Sequence, residues 1–111
     1  MPSTIGEATI LLPQQIARDA VINVRAILTH PMFTGMSRDP QGSLIPAFWV
    51  NEVVVRYGDR EVARFQWTSG ISRDPYVAFA LRATHEAPLT VTWKDTGGGV
   101  YSKTADIKFS A

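Results

Sequence analysis

The chain contains no cysteine. For this polypeptide that excludes a disulfide framework, a thiolate metal site and a cysteine nucleophile. Histidine is nearly absent too, with His30 and His85 the only two. A zinc site takes three or four ligands, and no His/Asp/Glu cluster with metal spacing occurs, so neither cofactor nor metal is expected. Neither sign of charge dominates. Eleven Lys and Arg face ten Asp and Glu, for a net charge of +1 and no basic run. Nothing here calls for nucleic acid or an anionic membrane surface. No apolar stretch reaches the ~18 residues of a membrane-spanning helix. Met1 to Ala8 show neither the basic nor the apolar region of a secretory signal. On residues alone, the expectation is a cytoplasmic protein, or one exported by a route the sequence does not display.

Catalytic signatures are missing as well. Ser, His and Asp are present, but without a nucleophile elbow or a comparable motif, so no hydrolase and no enzyme is expected. Gly97-Gly98-Gly99 is followed by a strand-like run. A phosphate-binding loop needs a helix there, so the glycines read as a hairpin turn. Asp59 and Asp74 read as turn and loop residues. His30 precedes a proline and is placed extended, at a strand end, where it would fix the loop by hydrogen bonding.

What is present is a β pattern. The 111 residues suit one domain with a real core. Residues 1–19 are poorly periodic and are expected to form a partly flexible extension. Within them Ile10 to Pro13 suggest an edge strand and Gln14 to Arg18 a helical turn. From Ala20 the period is two: Ile22, Val24, Ala26 and Leu28 alternate with Asn23, Arg25 and Ile27. A connection from His30 to Pro46 follows, with three prolines and two glycines. An irregular loop that long is usually functional or disordered. Further strands are predicted over 47–57, 61–68, 76–83, 89–95 and 101–109, with a hairpin at Tyr57-Gly58-Asp59-Arg60. The fold class is therefore all-β: residues 20–111 form a single Ig-like antiparallel β-sandwich. The absence of a Cys…Trp…Cys pattern argues against an antibody-type domain.

The predicted strand 47–57 looks apolar on both faces. Trp49, Val53, Val55 and Tyr57 share one side; Phe48, Val50 and Val54 share the other. A sheet in a two-layer sandwich has only one face covered by its mate. The second face would need a cover, either the long loop, the N-terminal extension or another protein. Met32, Phe33 and Met36 pose the same choice between an adaptable contact surface and a loop folded into the core. Gly35 suits a positive φ, Thr34 suits a bond to local backbone, and Ile45-Pro46 would fix the entry into the next strand. Arg73 suits the rim of an interface.

Several of these segments carry a resemblance. His30-Pro31-Met32-Phe33-Thr34-Gly35, then Ile45-Pro46-Ala47 and Val50-Asn51-Glu52-Val53-Val54-Val55, resemble the SoxZ family. Trp67, Ile71 to Tyr76 and Val91-Thr92-Trp93-Lys94-Asp95 continue the likeness, from about position 20 to 110. The His-Pro-Met-x-Thr-Gly run is its most specific part, with Phe33 at a variable place. SoxZ is the cysteine-free half of the SoxYZ carrier of bacterial thiosulfate oxidation, and the resemblance implies an Ig-like sandwich. It also implies a non-catalytic subunit paired with a SoxY-like protein, whose C-terminal glycine-flanked cysteine holds the sulfur intermediate. Through that complex it would meet other Sox enzymes transiently. This chain ends Lys108-Phe109-Ser110-Ala111, with no cysteine and no glycine-rich tail, as expected for the non-carrying subunit. The resemblance further implies a periplasmic site of action, reached by co-export on the partner's twin-arginine signal. The partner-facing residues expected are His30, Pro31, Met32, Phe33, Thr34, Gly35, Ile45, Pro46, Phe48, Val50, Val54 and Arg73. A stand-alone Ig-like module for protein or carbohydrate stays open, with three tryptophans and three tyrosines as stacking platforms, though Trp67 and Trp93 keep step with apolar neighbours. A redox or metal protein on the same sandwich is disfavoured by the missing cysteine.

Overall fold

A computed structural model describes residues 5–110; Met1 to Thr4, the first part of the expected extension, and Ala111 lie outside the described residues. Seven strands follow one another: β1 (Ala8–Leu11), β2 (Val21–Leu28), β3 (Val50–Tyr57), β4 (Arg60–Gln66), β5 (Tyr76–Arg82), β6 (Ala87–Asp95) and β7 (Val100–Ile107). They form a three-stranded sheet, β1-β2-β5, and a four-stranded sheet, β4-β3-β6-β7. All pairings are antiparallel. The architecture is the Ig-like sandwich that the periodicity predicts.

Alternation builds the core. Ile22, Val24, Ala26 and Leu28 of β2 point inward, as do Val77 and Leu81 of β5. They meet Val53, Val55 and Tyr57 of β3, Leu89, Val91 and Trp93 of β6, and Ile107 of β7. Each fully buried aliphatic side chain contributes about 1.5–3 kcal/mol relative to exposure. The β3–β4 hairpin turns through Gly58, whose φ of 60° is the positive value a tight two-residue turn needs at its first central position.

Three departures from the sequence reading have clear causes. First, β3 starts at Val50 rather than Ala47. Phe48 pairs instead with Phe33, by reciprocal backbone bonds of 2.7 and 2.9 Å, which holds 47–49 out of the strand. Second, the edge strand occupies Ala8–Leu11, before Leu12-Pro13, because Pro13 has no N–H to give a ladder. Third, Gln14 to Arg18 do not form a helical turn. Ile16 is buried there, its N–H given to the Ser110 hydroxyl (3.1 Å) and its carbonyl accepting the Ser110 N–H (2.9 Å), so the segment runs past the chain's end as a strap.

The two outer faces differ in chemistry. The four-stranded sheet is mainly polar outside, although Val100 is exposed at its edge. Arg64 pairs with Glu52 and Glu61 at 2.7 Å each, and Lys94 approaches Glu52 at 3.7 Å. Thr90 bonds Thr104 and Thr92 bonds Ser102 across β6 and β7. The three-stranded sheet is mixed outside, with Thr9, Asn23, Arg25 and Arg82 among more numerous apolar side chains. Leu11, Val21, Ile27 and Tyr76 are 36–63% exposed, and Ala78 and Ala80 are exposed beside them.

Candidate functional site

Residues of the family-like segments gather at one pole of the sandwich, where β2 and β6 end and β7 begins. β2 delivers His30 there, β6 delivers Asp95, and β7 begins beside them with Tyr101. His30 is fully buried and Asp95 is 6% exposed. Nε2 of His30 lies 3.1 Å from Oδ2 of Asp95, and Nδ1 accepts the Met32 N–H at 3.1 Å. With Nδ1 accepting, the proton sits on Nε2 and is donated to the carboxylate; the ring is neutral in one tautomer.

Asp95 is saturated. Its Oδ2 also accepts the Tyr101 hydroxyl at 2.7 Å, and its Oδ1 accepts the Gly97 and Gly99 N–H groups at 3.0 and 2.7 Å. Four donors occupy a carboxylate with about four acceptor sites. Burial pushes this carboxyl up, but the bonds from Tyr101, Gly99, His30 and Gly97 outweigh it, and the group titrates below the ordinary carboxylate value. Burial, then the bond to Asp95 and its charge, push the Tyr101 phenol up to about 12. A general base must reach a proton of the substrate. Here both partners are sealed and fully engaged, so the cluster fastens chain segments together. The ring of Phe48 caps it, 4.6 Å from the His30 ring.

The loop that follows is built from the same anchor. Met32 takes a φ of 51°, unusual for a side chain this large, and its Sδ receives the Val50 N–H at 3.2 Å. Thr34 Oγ1 accepts the Met36 N–H, and Gly35 has a φ of 91°, as its sequence position suggests. Arg38 to Leu44 make a small hairpin of their own, with Asp39 Oδ1 accepting the Gln41 and Ser43 N–H groups. Ile45 donates back to the Ser37 carbonyl, and Pro46 is exposed. From the β4–β5 connection, Asp74 clamps His30 twice: its Oδ1 accepts the His30 N–H (3.0 Å) and its N–H goes to the His30 carbonyl (2.8 Å).

The clamp shapes a groove. A cavity of about 560 Å³ is bounded by Ile5, Thr29, His30, Pro31, Phe33, Arg73 and Asp74. A second, of about 500 Å³, shares Pro31, Phe33 and Arg73 and continues along Ser69 to Ser72. Arg73 is exposed and makes no ion pair or side-chain hydrogen bond among the described residues.

Seven of the expected residues thus meet at this pole: His30, Pro31, Met32, Phe33, Thr34, Phe48 and Arg73. Gly35, Ile45 and Pro46 lie further along the loop. Val50 and Val54 do not share an uncovered face with Phe48. A β-bulge sets Val50 and Asn51 together opposite Asp95. Val50 therefore turns inward and is fully buried. Val54 is 9% exposed, enclosed among the polar and charged side chains of the outer face. The more apolar outer face belongs to the other sheet. Sequence reasoning misses Asp74, Asp95 and Tyr101 as anchors, since Asp74 and Asp95 act on His30, 44 and 65 residues away, and Tyr101 acts through Asp95. His85, at the opposite pole, stacks on Tyr57 with ring centroids 4.5 Å apart, and its N–H donates to the Tyr57 hydroxyl at 3.1 Å. Among the described residues no three His, Cys, Asp or Glu side chains converge as a metal set, and no helix is long and apolar enough to cross a membrane.

The class of protein is an Ig-like sandwich whose relatives in structure include carriers and reductases. It is similar to the superoxide reductase (neelaredoxin) from Ignicoccus hospitalis, with a TM-score of 0.69 and 14% identity over 93% of this chain and 80% of that one. It is similar also to the sulfur carrier protein SoxY from Chlorobium limicola f thiosulfatophilum, with a TM-score of 0.61 and 16% identity over 91% of this chain and 73% of that one. At those identities the likeness shows the fold alone. No curated protein matches. The family model of SoxZ, sulphur oxidation protein SoxZ, matches residues 10–106. The chain belongs to the SoxZ family, and so to the Sox system of sulfur oxidation.

Proposed function

We propose that this chain is the non-catalytic subunit of a sulfur carrier, paired with a SoxY-like protein whose cysteine-bearing C-terminal arm holds the sulfur intermediate. The observation that carries the reading is the family match over residues 10–106 in a chain without cysteine. The covalent step then falls to the partner. A rigid body that helps present a tethered substrate to successive Sox enzymes raises its effective concentration at each. Pro31, Phe33, Thr34, Ile45, Pro46 and Arg73 supply contact surface at the loop pole. His30, Met32, Gly35, Phe48 and Val50 hold that surface in shape from within, and Val54 supports the outer sheet.

The complex acts in the periplasm and is exported folded, on the partner's signal. Deleting that signal should abolish the periplasmic pool of this chain; an unchanged pool would refute co-export. The pairing itself is tested by tagged purification from cells grown on thiosulfate, with mass spectrometry of the eluate. A near-stoichiometric protein with a C-terminal glycine-flanked cysteine is expected. A chain that elutes alone would leave the stand-alone module. That alternative has less support, because Trp93, one of its stacking candidates, is fully buried.

A further inference from the structure

We infer that the outer face of the β1-β2-β5 sheet is the surface on which the SoxY-like subunit seats, an inference that rests on the carrier-subunit reading. The contrast between the two outer faces comes first. The four-stranded sheet is finished for water by ion pairs and hydroxyl ladders. The three-stranded sheet leaves Leu11, Ile27 and Tyr76 in a cross-strand cluster: Thr9 and Ile27 pair, Ile27 and Tyr76 pair, and Leu11 lies two residues on from Thr9 on the same side. An apolar patch of this kind on a soluble sandwich marks an interaction surface.

Charge selects the occupant. Arg25 stands in the middle of the central strand, between Leu11 of β1 and Ala78 of β5 in register. It has no ion pair and no side-chain hydrogen bond among the described residues. The outward strand positions of this face also hold Arg82, whose guanidinium donates to the Asp19 carbonyl, and no carboxylate. A second copy of this chain, seated face to face about a two-fold axis, would set two such positive faces against each other. Like charges at the centre of an interface oppose association. The face therefore suits a different chain, one that offers an apolar sheet face of its own with a carboxylate opposite Arg25.

Area sets the extent. The three strands, of four, eight and seven residues and about 4.8 Å apart, cover roughly 300 Å², well short of the ~800 Å² per partner in a stable interface. The contact must run past the sheet, and Tyr76 shows the direction. It opens β5 on the apolar face and also borders the Gly70–Pro75 loop. Arg73 of that loop lines the groove with Pro31 and Phe33. Face and groove make one continuous surface, with the groove as its rim.

The test uses the full chain and the purified SoxY-like subunit of the same organism, by titration calorimetry and light scattering. Leu11→Ser, Tyr76→Ser and Arg25→Glu alter the proposed face; Val100→Ser removes an exposed apolar side chain from the other sheet. Near-UV circular dichroism and Tm verify that each variant is folded. The face variants should each weaken binding by roughly tenfold or more, while Val100→Ser binds as wild type. If the wild type binds and the face variants match it, or Val100→Ser weakens binding equally, the face assignment is wrong and the carrier reading stands. If the wild type does not bind the SoxY-like subunit, both fall. A wild type that instead self-associates through this face, with Leu11→Ser restoring the monomer, would also overturn the assignment.

Discussion

His30 and Asp95, 65 residues apart in sequence, join side chains at 3.1 Å inside the loop pole. The bond ties the end of β2 to the end of β6, and thus one sheet to the other. Because Nδ1 of the same ring holds the Met32 N–H, one side chain also sets where the family-like loop departs.

Removing that ring should be costly. In His30→Ala the Met32 N–H loses its acceptor, Asp95 loses one of four donors, and a cavity opens beneath Phe48. A loss of about 3 kcal/mol is expected, read as a lower midpoint in urea with an unchanged slope. A loss under about 1 kcal/mol would remove His30 from the anchors.

Acid should loosen the pole through Asp95. Its carboxyl titrates below the ordinary value in the folded chain. Its stabilising effect is therefore complete above the unfolded pKa near 4 and is lost as pH falls through the lower folded value. Urea melts of wild type and Asp95→Asn from about pH 7 to pH 2 should show the wild-type advantage shrinking only below about pH 4. An advantage constant across that range would contradict this.

Alkali should act through Tyr101. The phenol is pushed up to about 12, so its contribution is complete below the ordinary value near 10 and is lost as pH rises through about 12. Tyr101→Phe should cost about 1–2 kcal/mol near neutral pH. Absorbance titration of the phenolate band should lose the step near pH 12 in that variant.

Two neighbouring glycines should respond oppositely. A Cβ at Gly99 would overlap the Tyr101 hydroxyl and stand 2.7 Å from Asp95 Oδ2. Gly99→Ala should lower stability by about 1–3 kcal/mol. Gly98 has a φ of 88° but open space around it, and asparagine tolerates positive φ. Gly98→Asn should cost under about 1 kcal/mol, as thermal unfolding would show.

The strands are legible because inward and outward residues alternate strictly in Ile22 to Leu28 and Leu89 to Trp93. The His30–Gly35 run is legible as a family feature, although its residues divide between surface and interior in ways no spacing reveals. The anchors of the pole are illegible. Asp95 looks like any strand-end carboxylate until folding brings His30 and Tyr101 to it. The pattern of residues 47–57 points to an uncovered face on the wrong sheet, since exposure depends on neighbouring strands that one strand's pattern does not contain. Ile27 and Tyr76 become a patch only once β2 and β5 pair. Val50 is misplaced in that pattern because nothing local announces a bulge at Asn51.

That bulge behaves as a frameshift in the pleat. One residue sets the phase of everything from Trp49 back to the loop relative to Val53 onward. Adding one residue between Val50 and Val53 would swing Val50 out to water and break its N–H contact with Met32, whereas losing Asn51 would leave a plain strand with Val50 and Val53 two apart and both inward. The hairpin from Arg38 to Leu44 is under no such constraint, being closed by its own bonds alone. Insertions among natural variants should therefore collect in that hairpin, while none falls between Val50 and Val53.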